Sequence, residues 1–139
     1  MAPSVADMTC DRHEALRGDP RQRLGRLGER LAAEHLERLG FTILERNYRT
    51  RWGELDLVAC DGRTLVFCEV KTRRRGRAGV PPLDAVGPRK RAQVRRMAGS
   101  WLHDHPDHPY AATLRFDAIG VTYDLAGRLL SLEHLEAAW

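Results

Sequence analysis

Asp56, Glu69 and Lys71 are the side chains whose types and spacing best suit chemistry. Asp56 lies in the run Gly53-Glu54-Leu55-Asp56-Leu57-Val58, and the other two lie in Phe67-Cys68-Glu69-Val70-Lys71-Thr72-Arg73. Side chains alternate along a strand, so Glu69 and Lys71 share one face, about 6.5–7 Å apart along the chain. Asp61-Gly62 reads as a hairpin turn that brings Asp56 onto the neighbouring strand. Two carboxylates of this kind suit Mg2+, with Mn2+ as a substitute, because a hard cation takes oxygen ligands and leaves positions for phosphate. Such an ion acidifies water and neutralises charge at phosphorus, which is phosphodiester hydrolysis. Lys71 would orient or deprotonate the water, or stabilise phosphoryl oxygens. Arginine would serve poorly as the base because its pKa is too high. Of 23 basic residues only Lys71 and Lys90 are lysine. Taken alone, Glu-x-Lys on a strand is more often an ion pair, and it is the preceding hairpin with its acidic strand that favours the metal reading.

The elements that must position these groups follow from periodicity. Leu24, Leu27, Leu31, Leu36 and Leu39 recur at helical spacing from Pro20, and Gly40 is a stop. Short apolar runs then predict strands over Phe41 to Tyr48, Glu54 to Cys60 and Thr64 to Lys71, the last apolar on both faces until its final three residues. Arg73 to Gly87 reads as a loop, and Pro88 opens a second helix running to about His103. Strands over Thr113 to Tyr123 and Arg128 to Leu135 complete the order α-β-β-β-α-β-β. The expectation is an α/β fold with a mixed central sheet flanked by helices. Residues 1–19 read as a flexible N-terminal arm before a single domain over 20–139.

Charge is distributed unevenly. Between Lys71 and Arg96 ten basic residues accompany one acid, Asp84, a net +9 that leaves −5 for the rest of a chain whose total is +4. A basic segment beside the acidic trio points to a polyanion held by salt-dependent phosphate contacts. Arg73, Arg74, Arg75, Lys90 and Gln93 are the candidate nucleic-acid-binding residues.

The order Asp56, Glu69, Lys71 resembles the PD-(D/E)xK nuclease superfamily, whose fold is restriction-endonuclease-like. More narrowly, Leu24 to Trp139 is similar to the bacterial YraN-like group, akin to archaeal Holliday junction resolvases. The residues that carry the likeness are Gly28-Glu29, Gly53 to Leu57, Glu69 to Arg73, Lys90 and Phe116-Asp117; Leu55 stands where a proline is usual before the Asp. The resemblance implies a Mg2+-dependent endonuclease acting on DNA, branched or structured DNA above all, with Asp56, Glu69 and Glu29 as metal ligands and Lys71 as the water-positioning group. From the residues alone, Glu29 also reads as a solvated helix charge. Glu54 and Asp117 are left open between site and support. The competing readings are a catalytically silent nucleic-acid-binding accessory protein and an RNA-directed nuclease.

Other features are weaker. Hydrophobic residues at 42% and charged residues at 30% exclude collagen-like, coiled-coil and wholly disordered chains. No apolar run is long enough to span a bilayer or to resemble a secretory signal, so a cytoplasmic location is expected, with no membrane partner. Cys10, Cys60 and Cys68 form no metal-type pair, and the last two read as buried thiols. His103, His105 and His108 sit among prolines and aspartates and read as a connector rather than a metal site. Trp52, Trp101 and Trp139 read as packing residues rather than base-stacking platforms, and Trp52, just before the acidic strand, is the one to test for a substrate contact. A homodimer would let a small nuclease cut both strands of a junction.

Overall fold

In the computed structural model, residues 19–75 and 87–138 are described. They form α1 (Pro20–Arg38), β1 (Thr42–Thr50), β2 (Gly53–Cys60), β3 (Thr64–Arg74), α2 (Pro88–Asp104), β4 (Thr113–Tyr123) and β5 (Leu129–Leu135). The proposed arm, apart from Asp19, and most of the Arg-rich loop lie outside the described residues.

The five strands make one mixed sheet in sequence order, β1-β2-β3-β4-β5. Only the β3–β4 pair is parallel, because α2 intervenes and returns the chain to the same end. The element order is the one the periodicity predicts. β3, however, runs on through Arg73 and Arg74, which pair with Thr122 and Tyr123 of β4. The expected loop therefore begins later: the parallel ladder holds these arginines in the strand despite their polar character.

The two helices cover different parts of the sheet. α1 starts at Asp19, whose Oδ1 accepts from the amides of Arg21 at 2.6 Å and Gln22 at 3.3 Å, with Pro20 in the first turn. It buries Ala32, Ala33 and Leu36 against Leu57, Ala59, Val66, Cys68, Ile119, Val121 and Tyr123. α2 buries Val94, Met97, Ala98 and Trp101 against Leu55, Val58, Cys60, Leu65 and Phe67. Phe67 meets Trp101 edge to face at 5.9 Å and stacks on Phe116 at 5.5 Å. Cys60 and Cys68 are buried free thiols.

Candidate functional site

Leu57 and Ala59 pack towards α1 while Leu55 and Val58 pack towards α2, so the simple alternation of β2 breaks at Asp56. The ladders change at the same level. The pairing of β2 with β3 runs from Cys60 and Leu65 to Leu57 and Cys68 and ends there, while β2 stays paired with β1 and β3 with β4. The sheet forks, and Asp56 projects at the fork, its Oδ2 accepting from the Val70 amide at 2.7 Å.

Two glycines set the approach of the other groups. A methyl group at Gly28 would lie 2.5 Å from Thr72 Oγ1, so glycine here lets α1 press onto β3 and delivers the adjacent Glu29 to the fork. Gly53 has φ +136°, a conformation L side chains avoid, and it packs on Gln93 of α2, whose amide donates to the Trp52 carbonyl. Gln93, expected to contact nucleic acid, is thus engaged in fixing the turn that leads into the acidic strand.

Glu29, Glu54 and Asp56 each offer a carboxylate oxygen within 4.8 Å of the others. Asn47 lies opposite Asp56, between the pairs Arg46–Leu57 and Tyr48–Leu55. Its side-chain nitrogen donates to Glu54 Oε1 at 2.7 Å and to Glu29 Oε2 at 2.9 Å, the orientation of the amide that puts donors against the two acceptors. Glu54 also meets Arg49 at 3.6 Å.

Concentrated negative charge and burial disturb these carboxyls. Asp56 is pushed up to about 7, first by burial and then by the charges of Glu29, Glu54 and Glu69, against the lowering effect of the Val70 amide. Glu29 is raised by burial and by Glu54, partly offset by the Asn47 hydrogen bond.

Glu69 lies close enough for its charge to act on Asp56 but is not in the tight trio. One of its oxygens pairs with Lys90 Nζ of α2 at 3.1 Å, and Oε2 is buried with no hydrogen-bond partner among the described residues. Lys71 is exposed, two positions beyond Glu69, and makes no ion pair among the described residues. Strand order alone groups Asp56 with Glu69 and Lys71, and the family resemblance adds Glu29; the structure groups Asp56 with Glu29 and Glu54, with Glu69 beside them.

The basic candidates divide. Arg74 and Arg75 are exposed, as are Arg89, Arg91, Arg95 and Arg96 on α2. Arg73 is largely covered, with NH2 3.7 Å from Glu133 of β5, a structural contact in place of the expected loop position. Asp117, left open by the sequence, belongs to a separate buried network. It accepts from Arg115 Nε and NH2 at 2.9 Å each, from His134 Nε2 at 2.7 Å and from the Ala137 amide at 3.1 Å. His105 stacks on Trp101 at 4.4 Å and its Nδ1 lies 2.8 Å from the Trp101 carbonyl, while His108 Nδ1 lies 3.0 Å from that of Pro109. These histidines serve the connector.

Asn47 is the site residue that pattern reading overlooks. Its signal is an asparagine inside a strand, where that residue is disfavoured, at a position that proves to have φ 55°.

The chemistry of the donor set fits a hard divalent cation: carboxylate oxygens of Glu29, Glu54 and Asp56 converge, and beside them Glu69 Oε2 has no hydrogen-bond partner among the described residues. No helix among the described residues is long and apolar enough to cross a membrane.

Comparison with known proteins gives the lineage. The model of the uncharacterised protein family UPF0102 matches residues 28–121, a span that contains every carboxylate of the site. A UPF0102 protein of Acidothermus cellulolyticus is 51% identical over 112 residues, covering 74% of this chain and 83% of its own. Its counterpart in Parafrankia sp. is 50% identical, covering 85% and 97%, and that in Frankia casuarinae 49% identical, covering 84% and 95%. The chain belongs to the UPF0102 family.

Proposed function

We propose that this protein is a divalent-metal-dependent endonuclease of restriction-endonuclease-like fold, within the PD-(D/E)xK superfamily, that hydrolyses phosphodiester bonds in DNA, branched or structured DNA in particular. The observation that carries this reading is the fork in the sheet, which gathers Glu29, Glu54 and Asp56 within 4.8 Å beside Glu69 Oε2, an atom with no hydrogen-bond partner among the described residues. Glu29, Asp56 and Glu69 would hold Mg2+ or Mn2+, with Glu54 as the added carboxylate. When bound, the ion supplies charge neutralisation at the phosphate and a lowered water pKa.

The chain's own groups do the rest. Asp56 is fixed by the Val70 amide, so its free oxygen is aimed before any ligand arrives. Lys71 sits on the face of Glu69, where its side chain would orient or deprotonate the attacking water, or else, as the ammonium, stabilise the phosphoryl oxygens. Lys90 holds Glu69 in place through their 3.1 Å contact. Exposed Arg74, Arg75 and the arginines of α2 draw the polyanionic backbone to the fork.

The test is a panel of junction, flap, duplex and single-stranded DNAs, with a matched RNA, incubated with Mg2+ or Mn2+. The expected result is cleavage of DNA that is lost in Glu69→Ala and Lys71→Ala although both still bind. Cleavage that survives both substitutions would overturn the assignment, and binding without cleavage in the parent would favour the accessory role. The Glu69–Lys90 ion pair is the observation on which that second reading rests.

A further inference from the structure

Two carboxylates from different elements, Glu29 on α1 and Glu54 on β2, approach each other at the fork with like charge. Such a pair needs something between it. Arg49 reaches Glu54 at 3.6 Å, yet its side chain is 83% exposed, which leaves that contact screened and weak. The Asn47 side-chain nitrogen, with the amide in the orientation that satisfies both acceptors, hydrogen-bonds to both acids, at 2.7 and 2.9 Å.

From this the geometry points to Asn47 as a positioning residue: one neutral amide, giving one hydrogen to each acid, holds Glu29 and Glu54 together so that the remaining oxygens are presented as a preformed ligand set for a divalent cation. The inference rests on the metal reading above and adds a residue to it. A neutral double donor is the group that fits, since it satisfies both acceptors without consuming the negative charge that attracts the ion. A lysine or arginine at the same place would cancel that charge, and an aspartate would add to the repulsion. The backbone agrees: at φ 55° Asn47 stands in the left-handed region, which asparagine enters more readily than other side chains of its size. Its place opposite Asp56 in the β1–β2 register aims the amide at the fork rather than into either core.

The test uses the full chain and four proteins: parent, Asn47→Gly, Glu54→Gln, and the double variant. Glycine accepts the left-handed backbone without strain, so its effect reports the lost amide rather than a refolded strand. Mn2+ titrated calorimetrically into Asn47→Gly is expected to bind at least about tenfold more weakly than into the parent. In excess chelator, Asn47→Gly is expected to melt about 2–4 °C below the parent. That deficit should vanish in the Glu54→Gln background, where the introduced side-chain amide can itself donate to Glu29. Unchanged Mn2+ affinity in Asn47→Gly, or a melting deficit that persists unaltered in the Glu54→Gln background, overturns the inference. A parent that binds no Mn2+ defeats the proposed function instead, and the clamp is then decided by the chelator cycle alone.

Discussion

The Asp56 carboxylate accepts the Val70 amide at 2.7 Å, immediately beyond the point where β2 and β3 cease to pair. Continued pairing would have set Val70 opposite Leu55. A side chain has replaced a backbone acceptor there, so the Val70 amide stays hydrogen-bonded where the sheet opens, and one oxygen of the acid is fixed at the same time. The second oxygen is what the site has to offer.

Asp56 makes the metal-free protein sensitive to alkali. Its carboxyl is raised from 3.8 to about 7, so the folded state holds a proton that the unfolded chain has already released. Its contribution to stability is full below pH 4, falls as pH rises to about 7, and is lost above that, on the order of 2–4 kcal/mol. Asp56→Asn should remove this slope, raising the melting temperature in chelator at pH 8 while abolishing cleavage by on the order of 10³-fold or more. Melting curves from pH 4 to 8 for both proteins check it.

A second titration runs the opposite way. His134 Nε2 donates to Asp117 at 2.7 Å, which leaves His134 Nδ1 to accept from His35 Nε2 at 3.0 Å, tying α1 to β5. Burial, His134 and Arg38 lower the His35 pKa. Burial alone would raise the Asp117 carboxyl, but His134, Arg115 and the Ala137 amide together hold it below its ordinary value. The His35 contribution is therefore present above about pH 6.5 and declines below it, and that of Asp117 is lost only under stronger acid. Asp117→Ala leaves Arg115 and His134 without their shared acceptor and should cost about 3–5 kcal/mol in urea denaturation at pH 7.

Gly28→Ala should damage activity through α1. The added methyl would meet Thr72 Oγ1 at 2.5 Å, and relief by moving the helix carries Glu29 away from the fork. A loss of about 1–3 kcal/mol is expected, together with weaker Mn2+ binding, and Gly28→Ala/Thr72→Ala should recover much of both.

The arginines after Lys71 should separate by function. Arg74→Gln and Arg75→Gln are expected each to lower the salt dependence of DNA binding by about one unit of slope with no change in melting. Arg73→Gln should instead lower the melting temperature, because its guanidinium meets Glu133 within the fold. Fluorescence anisotropy across a salt series, with melting curves alongside, distinguishes them.

Much of this architecture is legible in the sequence for physical reasons. Leu24 to Leu39 announces α1 through its period, and Asp61 announces the hairpin by accepting the amides of Arg63 and Thr64 at 2.9 and 2.7 Å. The site is less legible because strand alternation assumes an unbroken ladder. On that rule Asp56 faces Glu69, whereas the fork turns Asp56 towards Glu29 and Glu54 and leaves Glu69 to Lys90. Nor does local pattern reveal that Arg73 continues a strand, since what keeps it there is β4, some fifty residues later.

Whether the fork binds a divalent ion is read directly by anomalous diffraction from crystals soaked in Mn2+. A single strong peak in contact with Asp56 and Glu29 is expected, weakened or absent in Asp56→Asn. Well-ordered carboxylates with no peak at millimolar Mn2+, or a peak held elsewhere on the molecule, would contradict a metal site at the fork.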